Sequence, residues 1–165
     1  MGAPPTPAAV PLEDRLALRE LVDAYAMAVD QRDEAWFRSL WLPDARLTTH
    51  AGAGPAESDL DGIDAIARIP SLIARYPLTL HVVANHLCRL DGEGDGAGAT
   101  GEAYCIGHHL TPTDDGRHDD YVMAIRYIDR YGRDDGGAWR FARREVRRQF
   151  TRTESVDGHP PGDTA

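Results

Sequence analysis

Lysine is missing from this chain: all eighteen of its basic residues are arginine. The absence removes Schiff-base chemistry, pyridoxal attachment and a lysine general base. Cysteine is scarce, limited to Cys88 and Cys105 with no metal-ligand spacing between them. In a cytoplasmic chain they read as free thiols, although they fall on what read as neighbouring strands, where a disulfide is open to them. No apolar run approaches the length of a membrane helix. The opening MGAPPTPAAVP lacks the basic start and apolar middle of a signal peptide, so residues 1–11 read as a disordered lead-in to a cytoplasmic protein. An excess of positive charge is lacking too, and the net charge of −9 argues against nucleic acid or an anionic membrane as the main partner.

What is present suits one domain with a hydrophobic core. In the stretch from Pro77 to Arg89, PLTLHVVANHLCR, branched apolar residues alternate between punctuating Pro77 and Asp91-Gly92, the pattern of a strand. Alternation puts His81, Val83, Asn85 and Leu87 on one face and Leu80, Val82, Ala84 and His86 on the other. His81 thus sits among core formers, either as a hydrogen-bonded core histidine or as a proton-transfer group at the bottom of a pocket.

Upstream, Leu12, Leu16, Leu21, Val22, Tyr25, Ala28 and Val29 recur at three and four, which predicts an amphipathic helix from Leu12 to about Val29. Asp30 falls at its C-terminal end, where the helix dipole disfavours a carboxylate, and Tyr25 stands five residues earlier. Asp33 reads as the N-cap of a short helix, Glu34 to Trp41, whose Trp36, Phe37, Leu40 and Trp41 are mostly core, with one of them free to face a ligand. A short strand is expected at Ala45 to Thr49, then a plain loop through Asp59, then a helix from Gly62 to Arg75 kinked or split near Pro70. The segment DGEGDGAGATGE resembles a calcium loop but has Glu93 in place of Asp or Asn and strands for flanks, so it reads as an acidic hairpin loop without metal. Strands follow at Thr100 to Leu110, Asp120 to Tyr131 and Trp139 to Phe150, joined by Asp-Gly turns. His50, His118 and His159 fall in loops or the tail, and residues 153–165 read as disordered.

Helices first and strands after make an α+β fold, a curved antiparallel or mixed sheet forming a cone covered by about three N-terminal helices. The mouth of such a cone holds a small ligand.

The helix LRELVDAYAMAVDQRD, the strand LHVVANHL and the final strand WRFARREVRRQF, in this order, resemble the SnoaL-like family of the nuclear transport factor 2-like superfamily. The likeness covers about Leu12 to Thr151 and is strongest to the group of lindane dehydrochlorinase, scytalone dehydratase and bile acid 7α-dehydratase, which makes residues 12–152 a single SnoaL-like domain. It implies that Asp30 and His81 form a catalytic dyad in which the aspartate orients His81 as a general base. It further implies that Tyr25 donates a hydrogen bond to substrate, that Arg144, five residues after Trp139, holds developing negative charge, and that His108 or His109 supplies a second imidazole. If Ala103, Cys105 and Gly107 point inward the second imidazole is His109, and one β-bulge would swap the pair. Asn85 and Trp41 complete the expected substrate-binding set.

The function this implies is a cofactor-independent, metal-free lyase of the dehydratase type acting on a small hydrophobic oxygenated ring, such as a polyketide or steroid-like metabolite. Isomerisation or cyclisation on the same dyad is one alternative, and a non-catalytic small-ligand-binding domain is another. A homodimer or higher homo-oligomer is the expected assembly.

Overall fold

The computed structural model describes residues 10–91 and 98–157. The first helix, α1 (Leu12–Asp30), buries Leu21, Val22, Tyr25, Ala28 and Val29 of the stripe its spacing predicts and Leu18 besides, whereas Leu12 and Leu16 near its start are exposed. Each fully buried Leu or Val contributes about 1.5–3 kcal/mol, which outweighs a start without any side-chain cap. Asp14 in its first turn accepts a hydrogen bond of 2.8 Å from the Trp139 indole and pairs with Arg133, which ties the helix start to the far end of the sheet.

After α2 (Glu34–Ser39) come β1 (Trp41–Ala51), β2 (Ala56–Asp61), the single turns α3 (Ile63–Ile66) and α4 (Ile69–Leu72), and the long strands β3 (Leu78–Asp91), β4 (Gly98–Pro112), β5 (His118–Arg133) and β6 (Trp139–Val156). The strands form one open, curved sheet in the order β2-β1-β6-β5-β4-β3. Only β1 and β6 run parallel, so the sheet is mixed, as a cone of this class requires. The helix α1 lies in the hollow, where its apolar stripe meets Phe37, Leu47, Ile125, Tyr127 and Phe141. Among the described residues no helix is long and apolar enough to cross a membrane.

Several boundaries differ from the sequence-based expectation, β1 among them: expected at Ala45 to Thr49, it runs from Trp41 to Ala51. The short helix begins as expected, with the Asp33 carboxylate accepting from Trp36 N–H at 2.8 Å, but stops at Ser39. Leu42 precedes Pro43, which disfavours helical backbone there, and Trp41 instead enters the parallel ladder opposite Phe141. The loop expected through Asp59 contains β2, an edge strand whose residues are mostly exposed and polar and so carry no alternating pattern. The helix expected from Gly62 to Arg75 is split, as expected, into two turns, but the break falls before Pro70, which sits in the first turn of α4, where its missing N–H is not needed. Finally, β6 runs on to Val156, paired with His118, so residues 153–156 belong to a strand held by backbone hydrogen bonds despite their exposure.

His50 is buried in β1, bonded to the Gly54 carbonyl and Thr48, and His118 opens β5, so neither is a loop residue. Cys88 and Cys105 are both free; they face Gly101 and Val83 rather than each other across the β3–β4 ladder. Most of the acidic loop (residues 92–97), the lead-in through residue 9 and the tail from residue 158, with His159, lie outside the described residues.

Candidate active site

Residues at the C-terminal end of α1 and the start of β3 form the centre of the site. The Nδ1 atom of His81 lies 2.7 Å from Asp30 Oδ1, and the backbone N–H of His81 donates to Asp30 Oδ2 at 2.8 Å. The Thr79 hydroxyl donates a third bond to Asp30 Oδ1 at 2.8 Å. The two side chains retain only 7% and 15% of their exposure, for His81 and Asp30. Burial alone would raise the Asp30 carboxyl, but the His81 imidazole, its charge and its amide, together with Thr79, outweigh it and hold the carboxyl below its ordinary value. The carboxylate that the helix dipole disfavours is thus kept ionised by three donors. An ionised carboxylate only accepts, so Nδ1 of His81 carries a proton and the other ring nitrogen, Nε2, points away from Asp30.

His81 is part of the wall of a cavity of about 250 Å³ whose lining is almost wholly apolar, from Val29, Leu47, Leu60, Ile73, Met123 and Val146. Tyr25, Tyr127 and His109 share that wall. His109 stands edge-on to His81, with ring centroids 5.3 Å apart. Its Nδ1 lies 3.1 Å from the Tyr121 carbonyl, which can only accept, so His109 too carries a proton on Nδ1. Burial, and after it the neighbouring His81, push the His109 imidazole down to about 4, against weaker opposing hydrogen bonds, so it is neutral near pH 7. Ala103, Cys105 and Gly107 are buried, which decides the open choice for His109, and His108 faces the other way, onto Asp120 at 2.6 Å. Gly107 is what lets the two rings approach: a Cβ there would stand 3.1 Å from His109 Cε1 and 3.2 Å from His81 Cδ2.

Three expected site residues stand elsewhere. Asn85 is exposed and off the His81 face, because β3 carries an irregularity between Val83 and His86. Val83 pairs with Cys105 and His86 with Ala103, so the extra residue reverses the alternation. His86 therefore turns inward, 3.2 Å from the Tyr131 hydroxyl, while Asn85 borders a separate cleft of about 740 Å³ toward the far ends of β3 and β4. Trp41 is core, packed on Tyr25, Phe37 and Phe141, with its buried indole N–H unpartnered. Arg144 is fully buried one layer behind the cavity wall: it grips Asp129 through Nε and Nη2 at 2.8 and 2.7 Å. Its guanidinium stacks within 4.1–4.2 Å of the Tyr25, Tyr127 and Phe141 rings. The neighbouring Arg143, Arg147 and Arg148 are paired with Glu145 or Glu57. Thr79 was not anticipated, though the period of two that faced His81 inward places Thr79 beside it. Arg32, bonded to Thr79, had no local signal at all. Among the described residues no three His, Cys, Asp or Glu side chains converge as a metal would require.

The chain belongs to the SnoaL-like domain family, whose model matches residues 10–145. The fold is similar to that of a candidate scytalone dehydratase from Novosphingobium aromaticivorans, with a TM-score of 0.70 at 20% identity over 93% of this chain and 96% of that one. It is also similar to a hexachlorocyclohexane dehydrochlorinase from Novosphingobium barchaimii, with a TM-score of 0.65 at 23% identity over 91% and 97% of the two chains. A protein of unknown function from Mycobacterium tuberculosis shares the fold at 20% identity, with a TM-score of 0.65 over 86% and 78%. No curated protein matches the chain by sequence.

Proposed function

We propose that this protein is a cofactor-independent lyase of the dehydratase type in which the Asp30–His81 pair is the general base and the substrate is a small, uncharged, oxygen-bearing ring such as a polyketide or steroid-like metabolite. The observation that carries the reading is the 2.7 Å contact of His81 Nδ1 with a buried carboxylate at the wall of an apolar cavity. An aspartate that fixes the tautomer and stabilises the imidazolium makes Nε2 a competent base, an effect worth about 10²–10⁴-fold in rate. In the proposed step Nε2 takes a proton from the carbon next to a carbonyl, and the C–H electrons form the new double bond. The C–O bond then breaks and His81 returns its proton to the departing hydroxyl, releasing water. The Tyr25 hydroxyl, kept protonated by its burial, donates to the carbonyl oxygen. Neutral His109 lends a second acceptor to the hydroxyl, and Arg144 acts through the Tyr25 and Tyr127 rings that stack on it. With no arginine among the described residues of its wall, the cavity suits an uncharged guest.

The test is incubation with a panel of cyclic β-hydroxy-ketones, followed by mass detection. Loss of one water, abolished in His81→Ala and Asp30→Asn, is the expected result. Uptake of solvent deuterium without mass loss, equally abolished, would select isomerisation or cyclisation on the same pair. Ligand binding with no turnover, undisturbed by either substitution, would leave a small-ligand-binding domain. Self-association is part of the reading: Val82, Ile106, Ala124 and Phe150 form one cross-strand row on the outer sheet face, three of them exposed. Sedimentation finding a monomer throughout would refute that part.

A further inference from the structure

Arg32 lies two residues beyond α1, outside the cavity, and among the described residues it is the only non-glycine residue in left-handed backbone, at φ 60°. That geometry, disfavoured for any residue that carries a Cβ, turns the guanidinium back across the helix end. Its Nη1 donates to the Val29 carbonyl at 2.6 Å, the Asp30 carbonyl at 3.3 Å and the Thr79 hydroxyl at 2.8 Å, and its Nη2 donates to the Tyr76 carbonyl at 2.9 Å. One side chain thus joins the end of α1 to the start of β3, the junction where Asp30 meets His81.

We propose that Arg32 and Thr79 are positioning residues that set the direction of the hydrogen bonds through the Asp30–His81 pair. The argument rests on hydrogen-bond inventory. A guanidinium has donors and no acceptor, so Thr79 Oγ1 must accept from Arg32. The single hydroxyl proton then goes to the other neighbour, Asp30 Oδ1, 2.8 Å away. Asp30, receiving that proton, is held as an acceptor in turn, and His81 must present Nδ1–H to it. The Nδ1 proton is thus fixed by a residue that touches neither the imidazole nor the cavity. Without Arg32 the hydroxyl can rotate, and Asp30 loses both a fixed donor and a fixed position. Other charged or titratable neighbours do not duplicate this: His109 approaches the far side of the His81 ring, and its Nδ1 is engaged with Tyr121.

This inference builds on the reading of Asp30–His81 as the working pair, yet its test needs no substrate. Long-range ¹H–¹⁵N spectra of the histidines near pH 7 report which ring nitrogen is protonated, and ¹³C spectra follow the Asp30 carboxyl through its titration. Full-length wild-type protein and Thr79→Ser are expected to show His81 protonated at Nδ1 alone. Thr79→Val, which keeps the shape and removes the hydroxyl, and Arg32→Met are expected to shift both His81 nitrogens toward a mixture of tautomers and to move the Asp30 titration upward. His108, bonded to Asp120 on the opposite face, should not respond and serves as the internal reference. A merely structural role would lower the unfolding temperature and leave these signals unmoved. Wild-type nitrogens and carboxyl in a folded Thr79→Val would overturn the proposal; should Arg32→Met fail to fold, the Thr79→Val and Thr79→Ser pair decides it. A protein inert toward every hydroxy-ketone that still shows the shifts loses the dehydratase reading and keeps this one, while unmoved signals in an active enzyme do the reverse.

Discussion

Asp30–His81 and Asp129–Arg144 are both carboxylate contacts taken largely out of water, but the first opens onto the apolar cavity, whereas the second stays sealed although Asp129 is among the residues around the separate cleft. Arg144 and Asp129 have no side-chain exposure at all, and aromatic rings cover the guanidinium. Tyr131 adds a third group, donating to Asp129 Oδ2 at 2.9 Å. Charge fully desolvated in this way serves as a scaffold, because either partner left alone is an uncompensated buried charge. The Asp30–His81 pair keeps some exposure and one free ring nitrogen, and its protonation can change during a reaction. The difference lies in what the surroundings permit each pair to do, since both are built around an aspartate on secondary structure.

Breaking the sealed pair should have the largest effect. Asp129→Ala is expected to cost about 3–5 kcal/mol in urea unfolding, whereas Arg144→Met combined with Asp129→Leu should recover most of that loss. A cost below about 1 kcal/mol for the single change would contradict the scaffold role.

Acid should act on the cavity side instead. His109 is held near 4 in the folded protein, below its ordinary 6.5, so the unfolded chain takes up a proton that the native state refuses. Its contribution to stability is complete above pH 6.5 and is lost as pH falls toward about 4, by at most about 3 kcal/mol. The Asp30 carboxyl, lowered from 3.8, adds a further loss only below that value. Unfolding free energies between pH 7 and 4 should fall steeply in the wild type and less so in His109→Gln; equal slopes would reject the assignment.

Two glycines permit a sharper contrast. A Cβ at Gly101 would stand 2.7 Å from the Tyr131 ring and hydroxyl, and one at Gly107 would meet the two imidazoles at 3.1–3.3 Å. Each alanine is expected to cost about 1–3 kcal/mol, with Gly101→Ala the costlier. Only Gly107→Ala should disturb the His81 nitrogen signals, and the reverse pattern would undo the distinction between the two regions. Smallest of all is Asn85→Ala, expected to stay within about 0.5 kcal/mol of wild-type stability and to leave turnover unchanged, since the side chain is exposed and off the cavity.

Much of this was legible in residue order because periodicity reports which face is buried. The three-and-four spacing in α1 and the alternation around His81 put Tyr25 and His81 on buried faces, while the meeting of Asp30 with His81 followed only from the resemblance to the SnoaL-like family. The choice between His108 and His109 stayed open in the sequence, because only the structure shows Ala103, Cys105 and Gly107 facing inward. Asn85 was misplaced because a single irregularity inverts a strand's parity, and nothing in VVANHL marks it. The edge strand β2 was missed because pairing with β1, and no burial pattern of its own, makes it a strand. Arg144 was distinguished from its arginine neighbours only by Asp129, fifteen positions away in sequence and adjacent across the β5–β6 ladder.

By itself, the order of residues determined an α+β chain with one amphipathic helix, a run of long strands and a histidine facing the core, since those features follow from local spacing and side-chain alternation. Which acid meets which base, which arginine is sealed away and which carbonyls Arg32 reaches were decided by the tertiary structure. Those contacts join positions from different elements, and only the curvature of the sheet around α1 brings them within hydrogen-bonding distance.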